Sequence, residues 1–282
     1  MCCSLYNKVT YDNIRTSKER LKERREVAMA PMFQQFLSIC MEKFPETLEF
    51  KNSDANGNIT TTILERKMIY IPEGDRHATD SPKCINYRFH KSCGDQMLDS
   101  CVQLVDEHLG AKYRRASRIM YGNRKPWKAN KLVEMKSAGL VYVSYWDNGV
   151  LGAFASFMLT EETGLVEGDV AHEVSVPVIY LYEVHVACAH RGHGIGRRLL
   201  ERALCEGVAR HVRRICDNFF GVALTVFSDN TRARRLYEAL GFYRAPGSPA
   251  AETATIRPTR HGGGRLYVPR DPLYYVYCLH ML

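Results

Sequence analysis

No apolar run in these 282 residues approaches the roughly 18 consecutive residues that cross a bilayer. The opening segment MCCSLYNKVTYDNIRTSKERLKERR also lacks the charged-then-apolar order of a secretory signal. The expected setting is intracellular. Cysteine numbers ten, yet no Cys-x-x-Cys pair occurs and the residues are scattered. A disulfide framework and a redox motif are both disfavoured, and reduced thiols are the expectation. Cys84, His90, Cys93 and Cys101 come nearest to a metal-ligand cluster. Their spacing fits no finger or ribbon pattern, so no metal is expected. Internal repeats are absent. One segment alone has linker composition, APGSPAAETATIRPTRHGGG at 245–264, and a mobile surface loop is expected there.

What is present reads as a globular α/β chain. The composition, 45% hydrophobic and 25% charged with a net charge of +8, suits one large domain or one domain with an extension. Residues 17–44 have the pattern of a long basic helix broken near Pro31, where the ring and the missing N–H disfavour regular helix. Residues 1–45 are therefore expected to form an N-terminal brace on a domain spanning 46–282. NITTTILERKMIYI reads as a strand, and EGDRHATDSPK as a loop. Met97, Cys101, Leu104, Val105 and Leu109 recur at helical spacing. LVYVSYW and GVLGAFASFML flank Asn148 and Gly149, a strong hairpin signal. The strand VPVIYLYEVHV, a glycine-containing segment, a helix to about 213, the strand GVALTVF, the helix NTRARRLYEALGF and the strand PLYYVYCLH complete the succession.

The glycine-containing segment RGHGIGRRLL follows a strand and opens a helix. Such a turn exposes unpaired backbone N–H groups at the positive end of the helix dipole, and glycine keeps Cβ atoms away from an approaching anion. Arg191, Arg197 and Arg198 add positive charge, so a phosphate is the natural ligand. The spacing does not match the dinucleotide fingerprint Gly-x-Gly-x-x-Gly, and the position is too late in the chain for it.

Arg191, Gly194 and Gly196 match the pattern Arg/Gln-x-x-Gly-x-Gly/Ala, and Asn230, Ala233, Leu236, Tyr237, Gly241 and Phe242 match Asn-x-x-Ala-x-x-Leu-Tyr-x-x-x-Gly-Phe. In these two motifs the chain resembles the GNAT acetyltransferases. KERLKERR, SDANGNITTTILERK, MYGNRKPWKANKLVEM, AFASFM, YLYEVHV and LTVFSDN resemble the NatD-type branch, which acetylates the N-terminus of histone H4 and the A-type H2 histone. The likeness runs from about 18 to 244. It implies a mixed central sheet with a bulged, splayed strand pair and flanking helices. It also implies acetyl-CoA as cosubstrate, histone N-terminal tails as partners, a monomer without a stable nucleic-acid complex, and residence in cytoplasm and nucleus.

The resemblance implies roles residue by residue. Backbone groups of His185, Val186 and Ala187 hold the pantetheine arm and the acetyl group. The segment Arg191, Gly192, His193, Gly194, Ile195, Gly196, Arg197 and Arg198 takes the pyrophosphate, and Thr225 and Asn230 touch coenzyme A. Asn230 also suits a helix N-cap. Tyr121, Trp127, Tyr180 and Glu162 are placed at the peptide, with packing as the plainer role for the aromatics. The family's companion acid, two residues before Glu162, is Thr160 here, and Glu161 is a candidate substitute. Glu161, Glu162, Glu167, Asp169 and Glu173 form an acidic run suited to a cationic tail or simply to solvent.

Glu183 is the candidate base, with Tyr182 beside it. Burial in an apolar strand is expected to raise its pKa toward a useful value; a structural ion pair is the competing role. Alternation puts Tyr180 and Tyr182 on one face and Glu183 on the other, so their convergence requires a bulge. Other readings are an acetyltransferase for another N-terminus or for lysine, a covalent route through Cys188, and a chromatin-binding protein using KERLKERR and the arginines at 210–214 and 232–235.

Overall fold

The computed structural model describes residues 32–53, 57–72, 83–84, 92–166, 174–256 and 266–282. The break near Pro31, the loop EGDRHATDSPK through residue 82 and the acids Glu167, Asp169 and Glu173 lie outside the described residues.

A helix over residues 32–43 (α1) precedes the hairpin of β1 (Thr47–Ser53) and β2 (Ile59–Tyr70), and a short β3 (Lys83–Cys84) pairs with the end of β2. Two helices follow, α2 (Ser92–Tyr121) and α3 (Trp127–Met135). The strands β4 (Val141–Asp147), β5 (Val150–Glu162) and β6 (Val176–Val186) come next. Helix α4 starts at Ile195–Arg197, is wound as a π-helix over Arg198–Ala209 and ends as Arg210–Ile215. Then come β7 (Gly221–Phe227), α5 (Thr231–Ala239), β8 (Tyr243–Arg244), β9 (Glu252–Ile256), β10 (Leu266–Arg270) and β11 (Tyr274–His280). The main sheet has the order β1-β2-β4-β5-β6-β7-β11-β8, antiparallel except where β6 and β7 run parallel.

Alternation along the strands separates two apolar layers. Val141, Val143 and Tyr145 of β4 face α1 and α4, whereas Tyr142 and Trp146 face α2 and α3. Phe36, Leu37, Ile39, Cys40 and Phe44 at α1 are buried, and Phe44 stacks on Phe157 of β5 with centroids 5.5 Å apart. At roughly 1.5–3 kcal/mol for each large apolar side chain buried, the described part of the extension belongs to the core. Asn148 and Gly149 form the expected hairpin turn, both with positive φ. The segment expected to be a mobile loop is instead partly strand: Glu252–Ile256 pairs antiparallel with Leu266–Arg270. The alternating threonines and isoleucine of ETATI suit a strand despite the surrounding glycines and prolines.

Two irregularities shape the centre of the sheet. The β5–β6 register passes from Ser156 opposite Glu183 to Phe157 opposite Leu181, leaving Tyr182 as the extra, bulged residue. β7 accompanies β6 only from Val178 to Leu181. Beyond that point the strands part, and among the described residues no strand pairs with β6 on that edge from Tyr182 to Val186.

Candidate active site

The parted strands open a cleft with a cavity of about 720 Å³. Tyr180, Tyr182, Glu183 and His185 of β6 line one wall, Thr225 and Phe227 of β7 the other, and Gly192, Gly194 and Gly196 one end. The bulge is what brings the candidate residues together. It resets the alternation so that Glu183 no longer shares the α1/α4 face with Ile179 and Leu181. Tyr180 and Tyr182 meet edge to face with centroids 5.3 Å apart. Tyr180 also spans the splay, its hydroxyl 2.5 Å from that of Thr225.

Glu183 is buried and ionised. Its carboxylate pairs with Lys131 Nζ, lies 2.7 Å from His185 Nε2 and accepts from the Tyr113 hydroxyl at 3.2 Å. Burial alone pushes this carboxyl up, as expected from the sequence. Lys131 and His185 override it and hold the pKa at about 2. The expectation of a raised pKa is thereby corrected: the apolar strand carries Glu183 into a site where α3 supplies a buried cation. Lys131 Nζ also donates to Glu134 Oε1 at 2.6 Å, and Tyr121 donates to Glu134 Oε2 at 3.3 Å. Two carboxylates thus share one lysine, and attraction to Glu134 and Glu183 raises the lysine's pKa against the opposing effect of its own burial. Tyr237 also lines the cleft, and burial raises its phenol so that it stays protonated.

Lys131, Glu134, Tyr113 and Tyr237 were not singled out as site residues from the sequence. In WKANKLVEM the positions of Trp127, Lys131, Glu134 and Met135 fall at i, i+4, i+7 and i+8, one helical stripe. All four are buried, so two charged residues on an apolar stripe were the available signal.

At the other end of the cleft, Gly192 and Gly194 have φ of 88° and 70°. A left-handed backbone suits glycine, not the L side chains that could replace it, and Gly194 caps α4 in that conformation. A Cβ on Gly196 would stop 3.8 Å from Val186 Cγ2, and Arg191, Arg197 and Arg232 line the same end. These residues fit the phosphates and pantetheine of coenzyme A.

Several expected contacts are corrected. Ala187 already donates its N–H to Gly152 O at 2.8 Å, which completes the β5–β6 pairing. His193 stacks on Phe50 with centroids 4.4 Å apart, and Arg198 donates to Glu49 O at 3.1 Å; both side chains turn to β1 and away from the cleft. Trp127 does not wall the cleft: its indole is buried and stacks on Tyr113 with centroids 5.1 Å apart, because α3 turns that apolar side chain into the core. Tyr121 stands behind the site on Glu134. Asn230 caps α5, its Oδ1 accepting from Ala233 N, and also lines the cleft. Glu162 sits at the end of β5 opposite Val176, in alternation with Met158, the partner of Tyr180. Glu161 points to the other face, accepting from Ser175 Oγ at 3.2 Å, so it does not stand in for the missing acid at Thr160. Cys188 is exposed, with no histidine hydrogen-bonded to it among the described residues. Arg213 and Arg234 donate to backbone carbonyls.

A splayed β6–β7 pair, a glycine-lined helix start and a buried acid between them define an acyltransferase cleft. Residues 102–242 match the Acetyltransferase (GNAT) family, and the chain belongs to it. The chain is 79% identical, over 100% of both chains, to N-alpha-acetyltransferase 40 of Saccharomyces cerevisiae. Among solved structures it is similar to Arabidopsis thaliana Naa50 in complex with the bisubstrate analogue CoA-Ac-MVNAL, at 20% identity, 50% coverage of this chain, 72% of that one and a TM-score of 0.27. PaiA N-acetyltransferase of Thermoplasma acidophilum, in complex with coenzyme A, is 11% identical, with 66% and 94% coverage and a TM-score of 0.37. Neither of these two likenesses bears on individual residues. As a GNAT enzyme the protein uses acetyl-CoA.

Proposed function

We propose that this N-α-acetyltransferase acts on the free α-amine of histone-like Ser-Gly-Arg-Gly tails, in cytoplasm and nucleus. The observation that carries the reading is the two-ended charge of one cleft. Arginines and glycines line one end, and two carboxylates sharing a single lysine lie at the other. The first end suits a polyphosphate and the second a cationic amine. Glu162, further along the sheet from Tyr180, extends the negative charge toward an arginine- and lysine-bearing tail.

The chemistry asks little of a base. A peptide α-amine has a pKa near 8, so a neutral fraction of roughly a tenth is present at pH 7, whereas lysine at about 10.4 has almost none. Bound acetyl-CoA supplies a thioester carbonyl open to attack by that amine. Glu183, held ionised by Lys131, attracts and orients the amine, and the Tyr180–Thr225 contact braces the mouth of the splay. Tyr182 lines the cleft beside Glu183, and the protonated Tyr237 phenol is a donor available for the departing sulfur.

The test is incubation with acetyl-CoA and peptides beginning Ser-Gly-Arg-Gly, Met-Asp-Glu or Ala-Ser, with an N-terminally blocked Ser-Gly-Arg-Gly-Lys control, read by mass spectrometry. Acetylation of the free Ser-Gly-Arg-Gly amine alone is expected. Acetylation of the blocked peptide at lysine, or preference for Met-Asp-Glu, overturns the histone reading.

A further inference from the structure

Two imidazoles beside Glu183 have no part in the chemistry described so far. His185 Nε2 lies 2.7 Å from Glu183 Oε2, and the other ring nitrogen, Nδ1, lies 2.9 Å from Nδ1 of His108 on α2. The His185 ring is nearly parallel to both neighbours: His108 meets it edge on through the Nδ1 contact, with centroids 5.2 Å apart, and Phe154 stacks on it at 5.3 Å. His108 lines the cleft, yet its Nε2 is buried without a hydrogen-bond partner among the described residues.

Donor and acceptor logic assigns the protons. An ionised carboxylate only accepts, so a neutral His185 keeps its proton on Nε2 and presents a lone pair at Nδ1. His108 must then donate from Nδ1, which leaves the lone pair on its Nε2. Burial, reinforced by His185 and by Arg191, holds the His108 pKa down at about 4, so this lone pair is present at pH 7. Among the described residues the charged and titratable groups around these three also include Lys131 with Glu134 behind it on α3, Tyr113 and Cys101 on α2, and Tyr237 on α5.

We propose that Glu183, His185 and His108 form a proton relay, in which His108 takes up the proton shed on acylation and His185 carries the resulting charge. As the amine forms its N–C bond, the C–S bond of the thioester breaks and the departing sulfur takes the Tyr237 phenol proton, while the amine's N–H bond breaks and its proton passes through cleft water to His108 Nε2. The Nδ1 proton of His108 moves to His185 Nδ1, and the imidazolium so formed donates to Glu183 through Nε2. The Glu183 carboxylate and the face of Phe154 both stabilise that cation. Reversal of the same steps returns the proton through cleft water to the Tyr237 phenolate, so that amine and thioester end as amide and thiol. Glu183 is then the counter-ion of the relay, a role that suits a carboxyl too acidic to hold the proton itself.

The relay rests on the amine-acetylation reading of the cleft, and its first test needs no turnover. Nitrogen-15 histidine NMR of the full-length protein without ligand, at pH 7, is expected to show His108 as the Nδ1–H tautomer and His185 as Nε2–H. Two Nε2–H tautomers overturn the assignment. H108N keeps a donor in place of Nδ1–H, and H185Q keeps a donor to Glu183, but neither side chain can carry a proton onward. Each is expected to lower kcat at least about tenfold, with KM for acetyl-CoA within twofold, and imidazole is expected to restore part of the loss in H108A. Unchanged kcat and pH profile in H108N and H185Q overturn the relay while α-amine acetylation by the unaltered enzyme stands. Lack of that acetylation refutes the functional reading instead, and the tautomers judge the relay even if the variants fail to fold.

Discussion

Replacing Lys131 with Met removes the one cation shared by Glu134 and Glu183 while keeping most of the side chain's volume. Holding Glu183 at about 2 instead of an ordinary 4.5 corresponds to roughly 3 kcal/mol at 1.36 kcal/mol per pKa unit. That figure is the balance of burial against Lys131 and His185 together; breaking a buried ion pair by deleting one partner costs about 3–5 kcal/mol, which is the penalty expected for K131M. The pH dependence has a definite sign. In the unaltered protein the Glu183 pKa is depressed on folding, so its contribution is complete above 4.5 and is lost as pH falls toward 2. In K131M burial, the largest influence on this carboxyl, is opposed by His185 alone, and the folded pKa is expected to rise above the unfolded one. The variant then binds more protons folded than unfolded, and its stability increases as pH is lowered from 8 to 5.5. Urea unfolding at both pH values measures this, with K131M/E183Q as the control in which the slope due to Glu183 disappears. A penalty below about 1 kcal/mol, or a slope no smaller in the double variant, where Glu134 alone remains, than in K131M, refutes the account of Lys131 as the counter-charge.

Glu183→Gln is expected to lower kcat about a hundredfold or more while the acetyl-CoA Kd, measured by calorimetry, stays within twofold, because the phosphate end of the cleft is untouched; equal loss of both makes Glu183 a purely structural acid. Deleting residues 1–45 removes the buried Phe36, Leu37, Ile39, Cys40 and Phe44. Even a single Phe-to-Ala change in a core costs about 3–5 kcal/mol, against a typical total of about 5–15, so the truncated chain is expected to lose cooperative thermal unfolding. An unchanged Tm contradicts the assignment of α1 to the core.

The sequence alone determined most of the elements and the glycine-lined end of the cleft. Alternation in VPVIYLYEVHV and LVYVSYW, the Asn148–Gly149 turn and the spacing of Met97, Cys101, Leu104 and Val105 are local properties, and β6, β4, the hairpin and α2 follow them. The glycines at 192 and 194 likewise announce a backbone that only a special turn requires. The requirement for a bulge near Tyr182 was also legible, since two-residue periodicity keeps Tyr180 and Glu183 on opposite faces without one. The state of Glu183 was decided by tertiary structure. Its ionisation depends on Lys131, which lies 52 positions away in the numbering and reaches it only when α3 packs on the sheet. The same holds for His108 against His185 and for Tyr180 against Thr225 across the splay. A pKa is set by whatever surrounds the group within a few ångströms, and for a buried residue those neighbours are chosen by packing across the chain.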